Sequence, residues 1–381
     1  MALGSEKGFE TLRVESSVSP WDAENSYRLT RLKHVLTYGS YDEITREYVH
    51  TLALNPVYSQ AWLGLSEILF EQGKEKAALR ALDRSLELSP LSIAFLWDSA
   101  IVAFILGRND VAIKNLSIVA KMAENRRWRV FEVAWEVLDD GELIYDSILT
   151  DESRTRYFDF LVHTNRFDKA LSMLEKVERE NLPAESMERL VNLLIAEGRI
   201  EEAKSVWNQI INTDSFHTGL WNGSFENELL DFGFGWRGNK YDELSVSLDF
   251  EKTFEGSSSL RISLFRDAQG GGFVPIYQAI PVDSGALYRF GSYVATERWS
   301  SKNKIVWSLA CEGLNLAVDS YKQSTDWTHI GVEFDTPAVC KVLFLRLYVS
   351  KAEDAFGSLS SSVWIDAVEL ERVSIGSNGS D

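Results

Sequence analysis

Gly39, Gly73 and Gly107 stand 34 residues apart, and each follows one run of helical periodicity and precedes another. A fixed interval of that length marks one supersecondary unit copied along the chain, which constrains the fold more than any single helix does. Aligning on the glycines brings Ala78 and Ala112 into register five positions on, and Tyr48, Leu82 and Leu116 nine positions on; Pro56 and Pro90 also fall one interval apart. Each copy carries an apolar face too large to leave wet and too small to make a core alone, so neighbours must stack. The pattern is fullest over 57–90, where Trp62, Leu65 and Leu69, then Leu79, Leu82 and Leu86, flank Gln72-Gly73-Lys74 at three- and four-residue spacing. That predicts two amphipathic helices, the first stopped by a positive φ at Gly73 and the second by Pro90.

These columns of large, small and aromatic residues resemble the tetratricopeptide repeat over 57–90, and in part over 23–56 and 91–124. Beyond residue 125 the arrangement returns as Asn165-Arg166-Phe167 with Ala170 and Leu174, and as Gly198-Arg199-Ile200 with Ala203 and Trp207. Leu182-Pro183-Ala184-Glu185 opens a helix with proline in its first turn. Between these blocks, 128–148 holds an amphipathic helix carrying Phe131, Trp135 and Leu138, then an irregular acidic stretch around Asp139-Asp140-Gly141-Glu142. The expectation is an α-solenoid of five or six hairpins over 20–213, one of them degenerate, behind a flexible N-terminus or expression remnant at 1–19. The concave side of such a solenoid usually receives a protein partner. Arg28, Arg31, Gln60 and Glu67 are placed to face it, unless they only form a solvated surface.

Near Asn212-Thr213-Asp214 the helical period stops, and alternation takes its place. Leu260, Ile262 and Leu264 alternate with Arg261, Ser263 and Phe265; Tyr288, Phe290 and Val294 with Arg289 and Tyr293; Leu343, Leu345, Leu347 and Val349 with Phe344, Arg346 and Tyr348. Period two between turn clusters predicts an antiparallel β-sandwich over 220–373, followed by a disordered tail at 374–381. Asn222-Gly223-Ser224-Phe225-Glu226, Trp236, the 256–262 run Gly-Ser-Ser-Ser-Leu-Arg-Ile, the 288–294 run Tyr-Arg-Phe-Gly-Ser-Tyr-Val and the 363–370 run Val-Trp-Ile-Asp-Ala-Val-Glu-Leu resemble the landmarks of carbohydrate-binding modules of the 4/9 type, which are galactose-binding-like jelly rolls. The whole layout, helical repeats and then this module, resembles bacterial tetratricopeptide proteins associated with export or assembly of cell-surface polysaccharide. That resemblance implies a periplasmic or cell-envelope location and a polysaccharide ligand. It also implies a structural calcium near the start and end of the sandwich, with Glu226 and Asp366 at the matching positions and backbone oxygen near Gly256-Ser257. Oxygen ligands suit calcium, but two carboxylates are too few to demand it, and Asp366 could instead cap a turn or pair with an arginine.

If the leucines of the 343–347 run are buried, Phe344, Arg346 and Tyr348 emerge on the opposite surface; the same logic turns Tyr293 and Arg261 outward. Aromatic faces stack on sugar C–H surfaces and planar donors reach hydroxyls, so Arg261, Tyr293, Arg346 and Tyr348 are carbohydrate-binding candidates, with Trp299 and Trp307 beside them. Arg–Tyr pairs also stabilise an exposed sheet without any ligand. Trp327 and Trp364, set among alternating apolar residues, are expected in the core. Cys311 and Cys340 can pair only if their strands adjoin, and two buried free thiols are the expected state.

A formal net charge of −18 over 381 residues repels phosphate backbones. Nucleic-acid binding is therefore not expected, and the basic run Arg126-Arg127 with Arg129 is assigned to a solvated helix end. No apolar run reaches the ~20 residues that span a bilayer, and Met1-Ala2-Leu3-Gly4-Ser5-Glu6-Lys7 lacks the core of a secretion signal, although a leader or anchor missing from a fragment stays open. His34, His50, His163, His217 and His329 form no metal-site spacing, and no nucleophile elbow or phosphate loop is present. Gly270-Gly271-Gly272 is expected to be a flexible loop. Asp139-Asp140 and Glu201-Glu202 fit a helical surface better than acid–base chemistry. No catalytic residue and no catalytic cofactor are expected. The chain is expected to be a non-enzymatic scaffold; the alternatives are an accessory region of a polysaccharide-processing enzyme or export system, and a purely protein–protein interaction module.

Overall fold

The computed structural model describes residues 11, 13–88, 91–177, 181–211, 220–265, 271–319, 324–351 and 361–373. Pro90, the boundary at Asn212-Thr213-Asp214, Gly270 and the tail at 374–381 lie outside these residues, as do residues 1–10. Residues 13–18, expected to be flexible, are helical, and Gly271 and Gly272 open a strand instead of a loop. From Ala23 to Ile211 the helices run as six pairs. They are α1 (Ala23–Val35) and α2 (Tyr41–Leu54), α3 (Ser59–Glu71) and α4 (Glu75–Glu87), α5 (Ile93–Ile105) and α6 (Asn109–Met122), α7 (Arg127–Leu138) and α8 (Gly141–Ser147), α9 (Asp151–His163) and α10 (Phe167–Leu174), and α11 (Ala184–Ala196) and α12 (Ile200–Ile211). Among the described residues no helix is long and apolar enough to cross a membrane.

The repeat columns are the buried ones. Ala78, Ala112, Ala170 and Ala203 are fully enclosed, as are Leu82, Leu116 and Trp207 four positions after the first, second and last of them, and Tyr48 four positions after the buried Ile44; Leu174, four after Ala170, is half-buried. The small residue lets two helices approach, and the large one fills the space against the next element. At Gly73 the φ is +73°, the Gly73 amide donates to the Phe70 carbonyl and the Lys74 amide to the Leu69 carbonyl. This pair of bonds satisfies the orphan carbonyls of the last turn, and Gly107 and Gly198 repeat it. The first pair differs from the expectation. There the left-handed stop is Thr37, at φ 50°, whose amide donates to His34 while that of Tyr38 donates to Lys33. Gly39 lies beyond the stop and leads into Ser40, which caps α2. The acidic stretch after α7 is likewise a junction: Asp139 takes φ 46° to end α7, and the Asp140 carboxylate accepts from the Glu142 and Leu143 amides to start α8.

The chain divides into two compact units, Met1–Glu175 and Lys176–Asp381. The division falls inside the stretch expected to be one solenoid, so the α11–α12 pair belongs with the strands. The second unit holds two antiparallel five-stranded sheets forming a jelly roll. Sheet A has the order β1 (Arg237–Gly238), β4 (Gly271–Pro281), β9 (Val342–Lys351), β6 (Lys304–Cys311), β7 (Leu314–Val318); sheet B has β2 (Leu244–Asp249), β3 (Ser259–Leu264), β10 (Ser361–Arg372), β5 (Leu287–Glu297), β8 (Thr328–Asp335). Inward side chains of both sheets, among them Ile262, Phe290, Leu345 and Ile365, share one core with Phe225 and Trp236 from the entering chain.

Trp207 explains why the last helical pair is part of this unit. It occupies the repeat's large column, yet its indole meets Trp221, Phe232 and Phe234 edge-on, with ring centroids 5.8, 5.3 and 6.0 Å away. A Cβ on Gly233 would sit 2.5 Å from that indole, so only glycine allows the approach. Asn192 of α11 accepts from the Gly233 amide at 2.8 Å, and Gln278 of β4 donates to the carbonyls of Trp221 and Phe234. The segment entering the sandwich thus covers the apolar seam that another hairpin would otherwise cover.

Cys311 and Cys340 form a disulfide, which overturns the expectation of two free thiols. The condition for pairing is met because β6 and β9 are neighbours, and Cys340 lies in the turn just before β9. With a sequence separation of 29, the chain-entropy model gives about 3.5 kcal/mol of stabilisation. Reduction, or Cys311→Ala with Cys340→Ala, is expected to lower the unfolding free energy of the sandwich by about that amount in denaturant titration. Thr37→Gly is expected to raise that of the helical unit by about 0.5–1 kcal/mol, because a β-branched residue is strained in the left-handed region; a lowered melting temperature would contradict this account.

Candidate functional site

Outward-facing residues of the sandwich lie on two opposite surfaces, and the four strand candidates do not share one. Arg346 and Tyr348 stand on β9 in sheet A, whereas Arg261 on β3 and Tyr293 on β5 stand in sheet B. Trp299 and Trp307 belong to neither surface. At 2% and 0% exposure both are core residues, with the Trp307 indole donating to Ser292 Oγ, so neither can stack on a sugar. Trp327, expected in the core, is half-buried at the surface of sheet B.

The outer surface of sheet B is covered by its own chain. Phe254, from the loop between β2 and β3, stacks on Tyr293 with centroids 3.6 Å apart, and Trp327 meets Phe254 at 6.0 Å. Trp364 on β10, 4% exposed, has Lys252 Nζ 4.3 Å from its ring centre and the Arg261 guanidinium 5.1 Å away. Its indole donates to Asp249 at 2.9 Å. Arg261 also donates to Ser362 and lies 3.6 Å from Asp249. One face of Tyr293 is therefore engaged within the protein, and Arg261 is partly engaged through Ser362 and Asp249.

The outer surface of sheet A is exposed toward β7, where Asn315 and Ala317 are open, and covered toward β4, where Ala279 is only 3% exposed. In register across β4, β9, β6 and β7 lie Tyr277, Arg346, Ser308 and Ala317, and in the next row Ala279, Phe344, Ala310 and Asn315. Tyr348, 36% exposed, follows on β9 beside Val306, its ring lying over Gly272. Large side chains on β4 and β9 thus border a lower strip of small ones on β6 and β7. The Arg346 guanidinium lies 5.2 Å from the Phe344 ring centre, close enough for a cation–aromatic contact. At the β1 edge, Arg237 packs 6.0 Å from Tyr277 and donates to Asn192 and to the Gly233 carbonyl. Tyr277 and Arg237 escaped the sequence reading because a β-bulge between Phe273 and Ile276 breaks the alternation in β4, and β1 is only two residues long.

Glu226 and Asp366 hold the loop before β3 from two sides. Glu226 accepts from the Ser257 and Ser258 amides and the Ser257 hydroxyl; Asp366 accepts from the amides of Phe254, Glu255 and Ala367. The Ser257 hydroxyl and the two amides hold the Glu226 carboxyl below its ordinary pKa. Burial pushes that of Asp366 up, against its three amide bonds. Every carboxylate oxygen here faces an N–H or O–H donor, and among the described residues no group of three acidic, His or Cys side chains could hold a metal. The pair does not fit a calcium ion.

In the helical unit, Arg31 and Glu67 pair with each other, and His34 lies between Tyr48 Oη at 3.1 Å and Glu71 at 3.3 Å. Ile101 holds the corresponding position on α5, with Trp97 and Phe104 half-buried beside it. Arg28 is exposed and Gln60 is half-buried.

No family model matches the chain, and no curated protein matches it. Solved structures similar to parts of it include TmCBM61 in complex with beta-1,4-galactotriose, at 17% identity over 41% of this chain and 99% of that one, TM-score 0.32. Another is the CBM22-1 xylan-binding domain of Paenibacillus barcinonensis Xyn10C, at 15% over 40% and 92%, TM-score 0.28. YrrB, a TPR protein with an unusual peptide-binding site, matches at 16% over 55% and 95%, TM-score 0.28.

Because donors occupy the oxygens a calcium would need, the melting temperature is expected to be the same in EGTA and in millimolar calcium. Acid is expected to weaken the Glu226 contact instead. A lowered pKa means its contribution is present above the unfolded value and lost as pH falls through the folded one, seen as shifts of the Ser257 and Ser258 amide resonances.

Proposed function

We propose that the protein is a non-enzymatic scaffold that binds a carbohydrate chain on the outer surface of sheet A and recruits a protein partner through its helical repeats. The observation that carries this reading is the contrast between the two sheets. Both present aromatic and cationic side chains, but on sheet B Phe254 stacks on Tyr293 and Lys252 lies over Trp364, while on sheet A Tyr348 is exposed and the half-buried Phe344 and Arg346 have only each other as ring or cation partner among the described residues. Aromatic residues beside a strip of small ones suit the flat C–H surface of a sugar ring, and the guanidinium and Ser308 hydroxyl suit its hydroxyls. The Cys311–Cys340 disulfide accords with an oxidising compartment such as the periplasm or cell envelope. For the partner, the Arg31–Glu67 pair and the Trp97, Ile101 and Phe104 side chains supply a surface part charged and part apolar.

On a polysaccharide array, wild type and Tyr293→Ala are expected to bind alike, while Phe344→Ala and Tyr348→Ala each lose roughly tenfold in affinity, the worth of one aromatic contact of ~1–1.5 kcal/mol. Loss with Tyr293→Ala instead would move the site to sheet B. Release of reducing ends from a bound polysaccharide would show that the chain is an enzyme.

A further inference from the structure

The two sheets differ in charge as sharply as in exposure. All five strands of sheet A are free of Asp and Glu, although they carry Arg237, Lys304 and Arg346 on the outward surface. Sheet B holds Asp249, Glu297, Glu333, Asp335, Asp366, Glu369 and Glu371 in its strands. Its three arginines all meet acids: Arg261 lies 3.6 Å from Asp249, Arg289 2.7 Å from Glu333 and Arg372 2.7 Å from Asp283. Among the described residues neither Arg346 nor Lys304 has an ion-pair partner, and the cross-strand neighbours of Arg346 are Tyr277 and Ser308, with Ser350 opposite Lys304. In a chain of formal charge −18, a sheet without one carboxylate departs far from the surroundings, and unpaired cations there are not needed to balance a neighbour.

We propose that the ligand of sheet A is an anionic polysaccharide whose carboxylates, as in uronate residues, are met by Arg346 and Lys304. This rests on the reading of sheet A as the carbohydrate surface and adds the class of sugar. A guanidinium presents two parallel N–H donors to a carboxylate, and here it also lies within cation–aromatic distance of the Phe344 ring. The neutral part of each sugar stacks on Phe344 or Tyr348. Lys304, four residues along β6 from the level of Arg346, stands roughly 14 Å away by strand geometry, far enough to meet a second charged unit of the same chain. The Coulomb field of the remaining acidic surface repels such a polymer everywhere else, so it is steered to this sheet.

The test uses the full chain and pairs of polysaccharides: polygalacturonate, polymannuronate and a glucuronate-containing polymer, each with its carboxyl-reduced neutral form. One acidic polymer is expected to bind at least tenfold tighter than its reduced partner, with the preference shrinking between 50 and 500 mM NaCl. Arg346→Gln and Lys304→Gln are expected to reduce the preference about tenfold and threefold, with the melting temperature unchanged and, for Lys304→Gln, the affinity for the reduced form unchanged as well. Lys304 is exposed, so its variant keeps the test valid if Arg346→Gln unfolds the sheet. Equal binding of acidic and reduced forms overturns the charge assignment and leaves the sugar surface standing. Binding of neither form of any polymer overturns both. Equally tight binding of single-stranded oligonucleotides overturns the proposal too, since it would show attraction to any polyanion.

Discussion

An apolar seam that cannot be left in water organises this chain from end to end. The repeat columns bury a small residue and a large one between helices in the pairs closed by α4, α6 and α12, so a stack always ends with one seam uncovered. At α12 the cover comes from Trp221, Phe232 and Phe234, and Gly233 brings backbone to within contact of the Trp207 ring. The same segment continues into the sandwich core through Trp236, whose indole donates to the Asn222 carbonyl. One short stretch thereby closes two cores. The packing also reaches the candidate site, because Asn192 of α11 holds Arg237 beside Tyr277.

Much of this was legible in the sequence. The 34-residue interval and the alternation that follows it identify both architectures, since helix stops and strand faces are local properties of the chain. Alternation also places Arg346, Tyr348, Arg261 and Tyr293 outward. What it cannot carry is which sheet each strand joins. The order of sheet A takes β9 between β4 and β6, so strands far apart in sequence are neighbours, while β4 and β5, consecutive in sequence, fall in different sheets. The same non-local pairing brings Cys311 beside Cys340. Trp299 and Trp307 show another limit: an aromatic is as useful to a core as to a ligand, and only burial tells them apart. In the first repeat, Gly39 marks the interval, while the left-handed turn itself falls on Thr37, two residues earlier.

Sheets A and B are built from similar materials and differ in what lies above them. Cation–aromatic contacts occur on both, but on sheet B the loop held by Glu226 and Asp366 brings Lys252 and Phe254 down onto Trp364 and Tyr293. The two carboxylates thus act in folding, by fixing that loop with backbone amides in place of an ion. The proposed recognition surface is the one without such a loop.

Under the proposed function, a chain attached to a long polymer is pulled as well as bound. The disulfide closes the chain between β6 and the turn before β9, a stretch holding β7 of one sheet and β8 of the other. When tension is applied along the backbone, those 29 residues cannot pay out, which withholds roughly 100 Å of contour length. Load passing through the sandwich is carried by a covalent shortcut, and β6 and β9, which carry the proposed sugar surface, lie on either side of it.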